Sequence, residues 1–291
     1  MVEERYAVIW VMPALLLVLL FTLYPVADAL YRSLHQVVVI LPTSPFVGLA
    51  NYRDVVTGHG FWEAVRNTTA FAAVTAPVAV ITGFGVARLL LTPFYGRGLV
   101  RAVVILPWVL PGAISAVIWT WVFHPSWGTL NLFLYETGLV ERYIPWLTNP
   151  QLARLSVAVA FVWTQFPFAA IMLMAALTMI DRDLYDAARV DGAGIAQRFR
   201  YVTFPNIRPM VVVLLTYHAL VALTSYDLVY AMTAGGPGTA TTLLSFRIWQ
   251  ESFSMMNFGT GSAIAFLLVL LSLAFMAAIW RALPTQFLPG P

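Results

Sequence analysis

The 291-residue sequence contains no cysteine and, among its basic residues, no lysine. The first absence excludes disulfides, thiolate metal sites and cysteine nucleophiles together. The second excludes a phosphate-binding loop of the Gly-x-x-x-x-Gly-Lys-Ser/Thr type, so any ATP hydrolysis tied to this chain takes place on another polypeptide. Charge of either sign is scarce: charged residues make up 10% of the chain against 60% hydrophobic ones, which does not describe a water-exposed surface. The four histidines, His35, His59, His124 and His218, lie far apart without metal-ligand spacing. The net charge of +3 is carried by Arg in short loops rather than in one patch. It reads as membrane topology, and no nucleic-acid partner is expected.

What the chain has in abundance is long apolar stretches. They fall at about 7–30, 68–91, 99–123, 152–180, 210–232 and 258–283, each long enough to cross about 30 Å of hydrocarbon. The expected class is therefore an all-α integral membrane protein, a bundle of six transmembrane helices in one domain over 1–291, with no internal repeat. The first stretch reads as a retained helix, since Glu3 and Glu4 flank Arg5 and no small-residue cleavage site precedes a polar chain. An even number of spans puts both ends on one side. Arg5, Arg88, Arg97, Arg101, Arg182, Arg189, Arg198, Arg200, Arg208 and Arg281 share that side, against Arg32, Arg53, Arg66, Arg142, Arg154 and Arg247 opposite. The positive-inside bias then makes both termini cytoplasmic. The outward segments, near 35–66, 124–152 and 233–257, hold Trp62, Trp127, Trp146 and Trp249, suited to an interfacial belt or a docking surface.

One polar stretch, 181–209, separates the fourth and fifth apolar stretches and carries five of the cytoplasmic arginines. Its local grammar is helix, turn, helix. Asp181 or Asp183 caps a first helix over 184–190, Gly192 suits a left-handed stop, and 195–201 forms a second short helix before Pro205. Helices this short are marginal alone in water. Ala187 and Ala188 give the first a small-residue face that could sink into a groove on another protein.

Asp186-Ala187-Ala188, Asp191-Gly192-Ala193, Phe199, Val202, Phe204-Pro205 and Pro209 resemble the "EAA" loop of permease subunits in bacterial ABC importers, with Asp186 where Glu is usual and Phe204 where Leu is usual. Elsewhere Leu23-Tyr24-Pro25, Gly48-Leu49-Ala50-Asn51-Tyr52-Arg53, Leu106-Pro107-Trp108 and Gly235-Gly236-Pro237 are similar to the carbohydrate-import branch, of maltose and glycerol-phosphate type. The resemblance implies the type I importer permease fold in a bacterial or archaeal inner membrane, with a cytoplasmic coupling helix. It implies that Asp186, Ala187, Ala188, Asp191, Gly192, Ala193, Phe199 and Pro205 serve the contact with the ATPase. The implied partners are a second homologous permease, two copies of an ATP-binding cassette subunit, an extracytoplasmic solute-binding protein, a sugar and membrane lipid. No cofactor is expected in this chain, because ATP and Mg belong to the partner subunits.

The fifth stretch carries an unusual polar load: Thr216, Tyr217, His218, Thr224, Ser225, Tyr226 and Asp227. Continued as one helix, it puts His218, Ala222 and Ser225 on one face and Tyr217 and Thr224 on the adjacent one, a stripe suited to a hydroxyl-rich solute. The resemblance places His218, Ala222 and Ser225 on the sugar path, along with Thr68, Ala72, His124 and Gly128. Polar groups in spans also bond neighbouring helices, so the bland reading stands beside this one. Gln165 is open to both, and Asp227 is expected to pair at the outer end. The expected function is a permease subunit without covalent chemistry of its own. An ATP-independent secondary transporter or channel is the alternative, and would call for an acidic relay or an inverted repeat. An intramembrane hydrolase would need a close Ser–His pair. His218 and Ser225, two turns apart on one helix, do not provide it.

Overall fold

The computed structural model describes residues 11–283. The first residues of the expected first span, 7–10, and both chain ends lie outside them. Among the described residues the chain is all-helical, with five helices long and apolar enough to cross a membrane and a bent pair that makes a sixth. In chain order these are α1 (Val11–Ser33), α2 (Ala50–Thr57), α3 (Phe61–Leu91), the bent pair α4 (Arg97–Val109) and α5 (Gly112–Val122), α6 (Thr129–Glu136), α7 (Pro150–Thr178), α8 (Arg182–Val190), α9 (Ile195–Leu223), α10 (Asp227–Thr233), α11 (Leu244–Trp249) and α12 (Phe258–Ala282).

Two expectations need correction. The third span is not one helix over 99–123: it breaks at Leu110 and Pro111 and turns by 102° between α4 and α5. Pro111 cannot donate into the preceding turn, and the residue before a proline is pushed to extended backbone, as Leu110 is at ψ 135°. The fifth span does not begin at 210 after a separate short helix. It begins at Ile195, runs unbroken past Pro205 and Pro209 and stops at Leu223, with α10 separate beyond it. A π turn at Phe199–Thr203, closed by the Phe204 amide donating to the Phe199 carbonyl, makes this possible. The turn adds a residue just ahead of Pro205, where a regular helix would set the proline ring against a carbonyl. The same device, Leu19–Leu23 ahead of Pro25, keeps α1 continuous.

The chain divides into two compact units. One comprises the described part of Met1–Trp62 together with Arg247–Val269. Here Asn51 donates to the carbonyls of Ser33 and His35 (2.8 and 2.9 Å), and Tyr52 to the Ser33 hydroxyl (2.8 Å). The Asn-Tyr pair thus satisfies acceptors left over at the end of α1. The apolar side chains of α1 are exposed over most of its length, as lipid-facing residues are.

The other unit comprises Glu63–Phe246 and the described part of Leu270–Pro291. Its helices associate through small residues: Ala72, Ala76, Ala79 and Ala87 of α3 are buried at helical spacing, while Val74, Val78 and Ile81 are exposed. Gly83 completes the stripe, and a Cβ there would fall 2.5 Å from the Ala169 Cβ of α7. Between apolar helices in lipid, such close backbone approach supplies the packing that water would otherwise enforce. The core nearest the α8 end joins Val80, Ala87, Ala169, Leu173, Ile207 and Leu214 from α3, α7 and α9.

Candidate coupling element and solute cavity

The short helix α8 is built as its sequence dictates. Asp181 caps it by accepting from the Asp183 amide. At its far end the amides of Gly192 and Ala193 return to the carbonyls of Arg189 and Ala188, closing the helix with Gly192 at φ +77°. None of its residues is buried: Asp186 and Ala187 are exposed, Ala188 is partly covered, and Val190 is 89% exposed. Asp186 pairs with Arg189 at 2.8 Å. Beyond the turn Asp191 is exposed and Ala193 partly covered, and Pro205 is exposed in the first turn after the π turn. Phe199 packs on Phe84 and Phe204 (ring centroids 5.6 and 6.1 Å). The Tyr185 hydroxyl meets the Thr203 hydroxyl at 2.9 Å, which ties α8 to the π turn of α9.

At the opposite end of α9 a cavity of about 270 Å³ opens where two spans are interrupted. The break between α4 and α5 contributes Trp108, Leu110 and Gly112; α7 contributes Phe161, Thr164 and Gln165; the end of α9 and start of α10 contribute Val221, Thr224, Ser225, Asp227 and Leu228. Trp108 is held by stacking on Phe168 (5.4 Å). The Gln165 amide donates to the Thr164 hydroxyl (3.2 Å), and its carbonyl oxygen is buried with no partner among the described residues. Asp227 lies against α5 so closely that a Cβ on Gly112 would meet its Oδ2 at 2.5 Å. It therefore borders the cavity instead of standing apart from it. The set joins aromatic faces with neutral donors and acceptors and one carboxylate, a chemistry that suits a hydroxylated solute.

Of the predicted path residues, Thr224 and Ser225 reach this cavity and the others do not. The α9 helix ends at Leu223, so Ser225 lies in a turn, off the helical face expected to carry it with His218 and Ala222. Ala222 is fully buried in helix packing, as is Ala72. His218 is fully buried beside Phe168 and Tyr217, with neither ring nitrogen hydrogen-bonded among the described residues, one turn below Val221. The Thr68 hydroxyl is engaged both ways, donating to the Ala64 carbonyl (2.7 Å) and accepting from the Leu244 amide (2.9 Å). With Asn67, which donates to the carbonyls of Thr239 and Thr242, it holds the loop that begins Gly235-Gly236-Pro237. His124 stacks on Trp127 (3.8 Å) and accepts from the Ser126 amide, and Gly128 is packed on the His124 backbone. Trp108, Thr164 and Phe161 were missed as cavity residues. The Pro111 break was the available signal, because an interrupted helix within a membrane is tolerated where it lines a cavity. Among the described residues no cluster could hold a metal ion.

Comparison with known proteins gives a consistent result. The family profile of binding-protein-dependent transport system inner membrane components matches residues 6–283. The chain is 36% identical over 273 residues to the trehalose/maltose transport system permease protein MalF of Thermococcus litoralis, covering 94% of this chain and 92% of that one. It is 36% identical over 286 residues to the sulfoquinovosyl glycerol transport system permease protein SmoG of Agrobacterium fabrum, covering 98% and 92%. Among solved structures, a bacterial alginate ABC transporter, crystallised with its alginate-bound periplasmic protein, contains a chain that superposes with a TM-score of 0.80 at 20% identity, covering 96% of this chain and 94% of that one.

Proposed function

The chain belongs to the family of binding-protein-dependent transport system inner membrane components, and from that premise we propose that it forms half of the passage for a sugar or related polyol and is driven through α8. As a permease subunit of an ABC importer it is a multi-pass inner-membrane protein, and ATP is hydrolysed on separate ATPase subunits. The observation that carries the coupling assignment is α8 itself, a capped helix with no buried residue that projects from a membrane-spanning unit. Such a helix gains its stability by docking elsewhere. The seat is a groove on an ATP-binding cassette subunit, two copies of which serve this permease and a second, homologous one. Asp186, Ala187, Ala188, Asp191, Gly192, Ala193, Phe199 and Pro205 shape or support that contact. Both termini and α8 are cytoplasmic, as the distribution of arginine supports.

Movement at α8 reaches the solute through a single rod. The Tyr185–Thr203 contact joins α8 to α9, whose 29 residues span about 43 Å at 1.5 Å per residue. Thr224 and Ser225 sit at its far end, in the cavity. Displacing one end of a continuous helix shifts the cavity wall at the other, so ATP binding by the partners changes which side the cavity faces. Sugar as cargo is supported by the names of both relatives and by the lining of Trp108, Phe161, Gln165, Thr224 and Ser225. His218, buried just beneath without a hydrogen-bond partner among the described residues, joins the path when that wall moves. The solute arrives from an extracytoplasmic binding protein.

The test is reconstitution of the whole importer in proteoliposomes with binding protein and a panel of sugars. Uptake that requires both ATP and one of these sugars is the expected result. Accumulation by this polypeptide alone, or ATPase activity indifferent to every binding-protein–sugar pair, would refute it.

A further inference from the structure

A second cleft, of about 510 Å³, lies between α8 and the ends of the spans. Its walls are Arg88 and Leu91 at the end of α3, Thr92 and Pro93 after it, Leu177 of α7, Tyr185 and Arg189 of α8, and Ile195, Arg198, Phe199 and Thr203 of α9. Three arginines line it, and among the described residues no acidic one does. Arg189 is partly neutralised by Asp186 at 2.8 Å. Arg88 lies over the Phe84 ring at 6.0 Å, and the side chains of Arg88 and Arg198 have neither hydrogen bond nor ion pair among the described residues. Tyr185 and Arg189 line the cleft while the exposed Leu184, Ala187 and Val190 of α8 do not, so α8 keeps one face turned away from it; Phe199, which supports the ATPase contact, is shared with the cleft wall.

We propose that this cleft seats the phosphodiester headgroup of an anionic membrane phospholipid of the phosphatidylglycerol class, wedged between α8 and the ends of α3 and α7. Two features select the occupant. The unpaired guanidinium groups fit a phosphate, to which arginine gives charge-assisted, often bidentate hydrogen bonds. Leu91, Leu177, Ile195 and Phe199 supply apolar wall beside them, which a free inorganic anion does not need and the glycerol and first methylenes of a lipid do. The cleft also opens where the apolar helices α3 and α7 end. Basic pockets between helices on the cytoplasmic face are where anionic lipids are recognised. A headgroup in this position sets the resting distance between α8 and the bundle, so lipid composition tunes coupling. The inference rests on the cytoplasmic placement of α8 proposed above.

The test counts phosphatidylglycerol retained by the purified importer complex in native mass spectrometry, for the wild type, for Arg88→Gln combined with Arg198→Gln, and for Arg97→Gln, a same-side arginine outside the cleft. Wild type and Arg97→Gln should keep the lipid, and the double variant should bind it roughly thirtyfold more weakly. In a competition that does not depend on any variant, wild type should prefer phosphatidylglycerol over phosphatidylcholine with the same acyl chains. Equal retention in all three proteins, or no preference between the two lipids, overturns the proposal. So does displacement of the lipid by inorganic phosphate at equal concentration, which would make this a free-anion site. Loss of the ATPase subunit from the double variant with an unchanged lipid count also overturns it, by assigning the cleft to the protein partner. The expected lipid pattern in an importer that moves no sugar would uphold the lipid site while removing the transport reading.

Discussion

Thr68 and Ser225 have similar side chains in similar sequence surroundings, and the structure gives them opposite work. Thr68 closes two hydrogen bonds inside the protein, one to a residue 176 positions away. Thr68→Val removes the acceptor for the buried Leu244 amide and should lower stability by about 1–3 kcal/mol, seen as a reduced melting temperature with uptake KM unchanged. Ser225 lines the cavity, so Ser225→Ala should leave melting unchanged and raise KM for the sugar up to about tenfold, the loss of one hydrogen bond. If the two variants exchange these effects, the assignment of the cavity is wrong. Gly192 is a third case. A Cβ there meets nothing of this chain within 4 Å, so within the subunit substitution costs only the left-handed backbone, about 1–2 kcal/mol, and any larger effect falls on the ATPase contact. Gly192→Glu should insert in the membrane at normal levels while separating ATPase activity from uptake.

Among the elements, α9 and α3 carry the most. The Tyr185 hydroxyl ties α8 to α9, so Tyr185→Phe should keep membrane abundance and ATP hydrolysis but lower the sugar moved per ATP several-fold. A ratio equal to wild type would show that the backbone turn alone transmits the motion. The α3 stripe depends on Gly83, and Gly83→Leu forces α3 from α7 where the gap is already closed. Overpacking of that kind costs about 1–3 kcal/mol and should appear as poor assembly of the complex.

For the molecule as a whole, orientation is directly testable because the natural sequence has no cysteine. Tyr95→Cys, in the loop between α3 and α4 on the side of α8, should react with a membrane-impermeant thiol reagent only from the cytoplasmic side, and Trp127→Cys only from outside. Both are exposed in the structure. The reverse pattern would turn α8 away from any nucleotide and end the coupling proposal.

Composition and local grammar determined much by themselves. The apolar stretches identified the membrane spans because a backbone in hydrocarbon must satisfy its own hydrogen bonds over about 20 residues. Asp181, Gly192 and the alanines between them announced α8, since caps and left-handed stops are made by neighbours in sequence. What the tertiary structure alone decided was where the helices break or continue and which polar groups stay free. Pro205 looked like a terminator until a π turn ahead of it absorbed the ring, whereas Pro111 did break its span. The stripe of His218, Ala222 and Ser225 presumed an unbroken helix that ends at Leu223. Whether a hydroxyl is available to solute depends on partners remote in the chain, as Leu244 is for Thr68, and no local pattern encodes them.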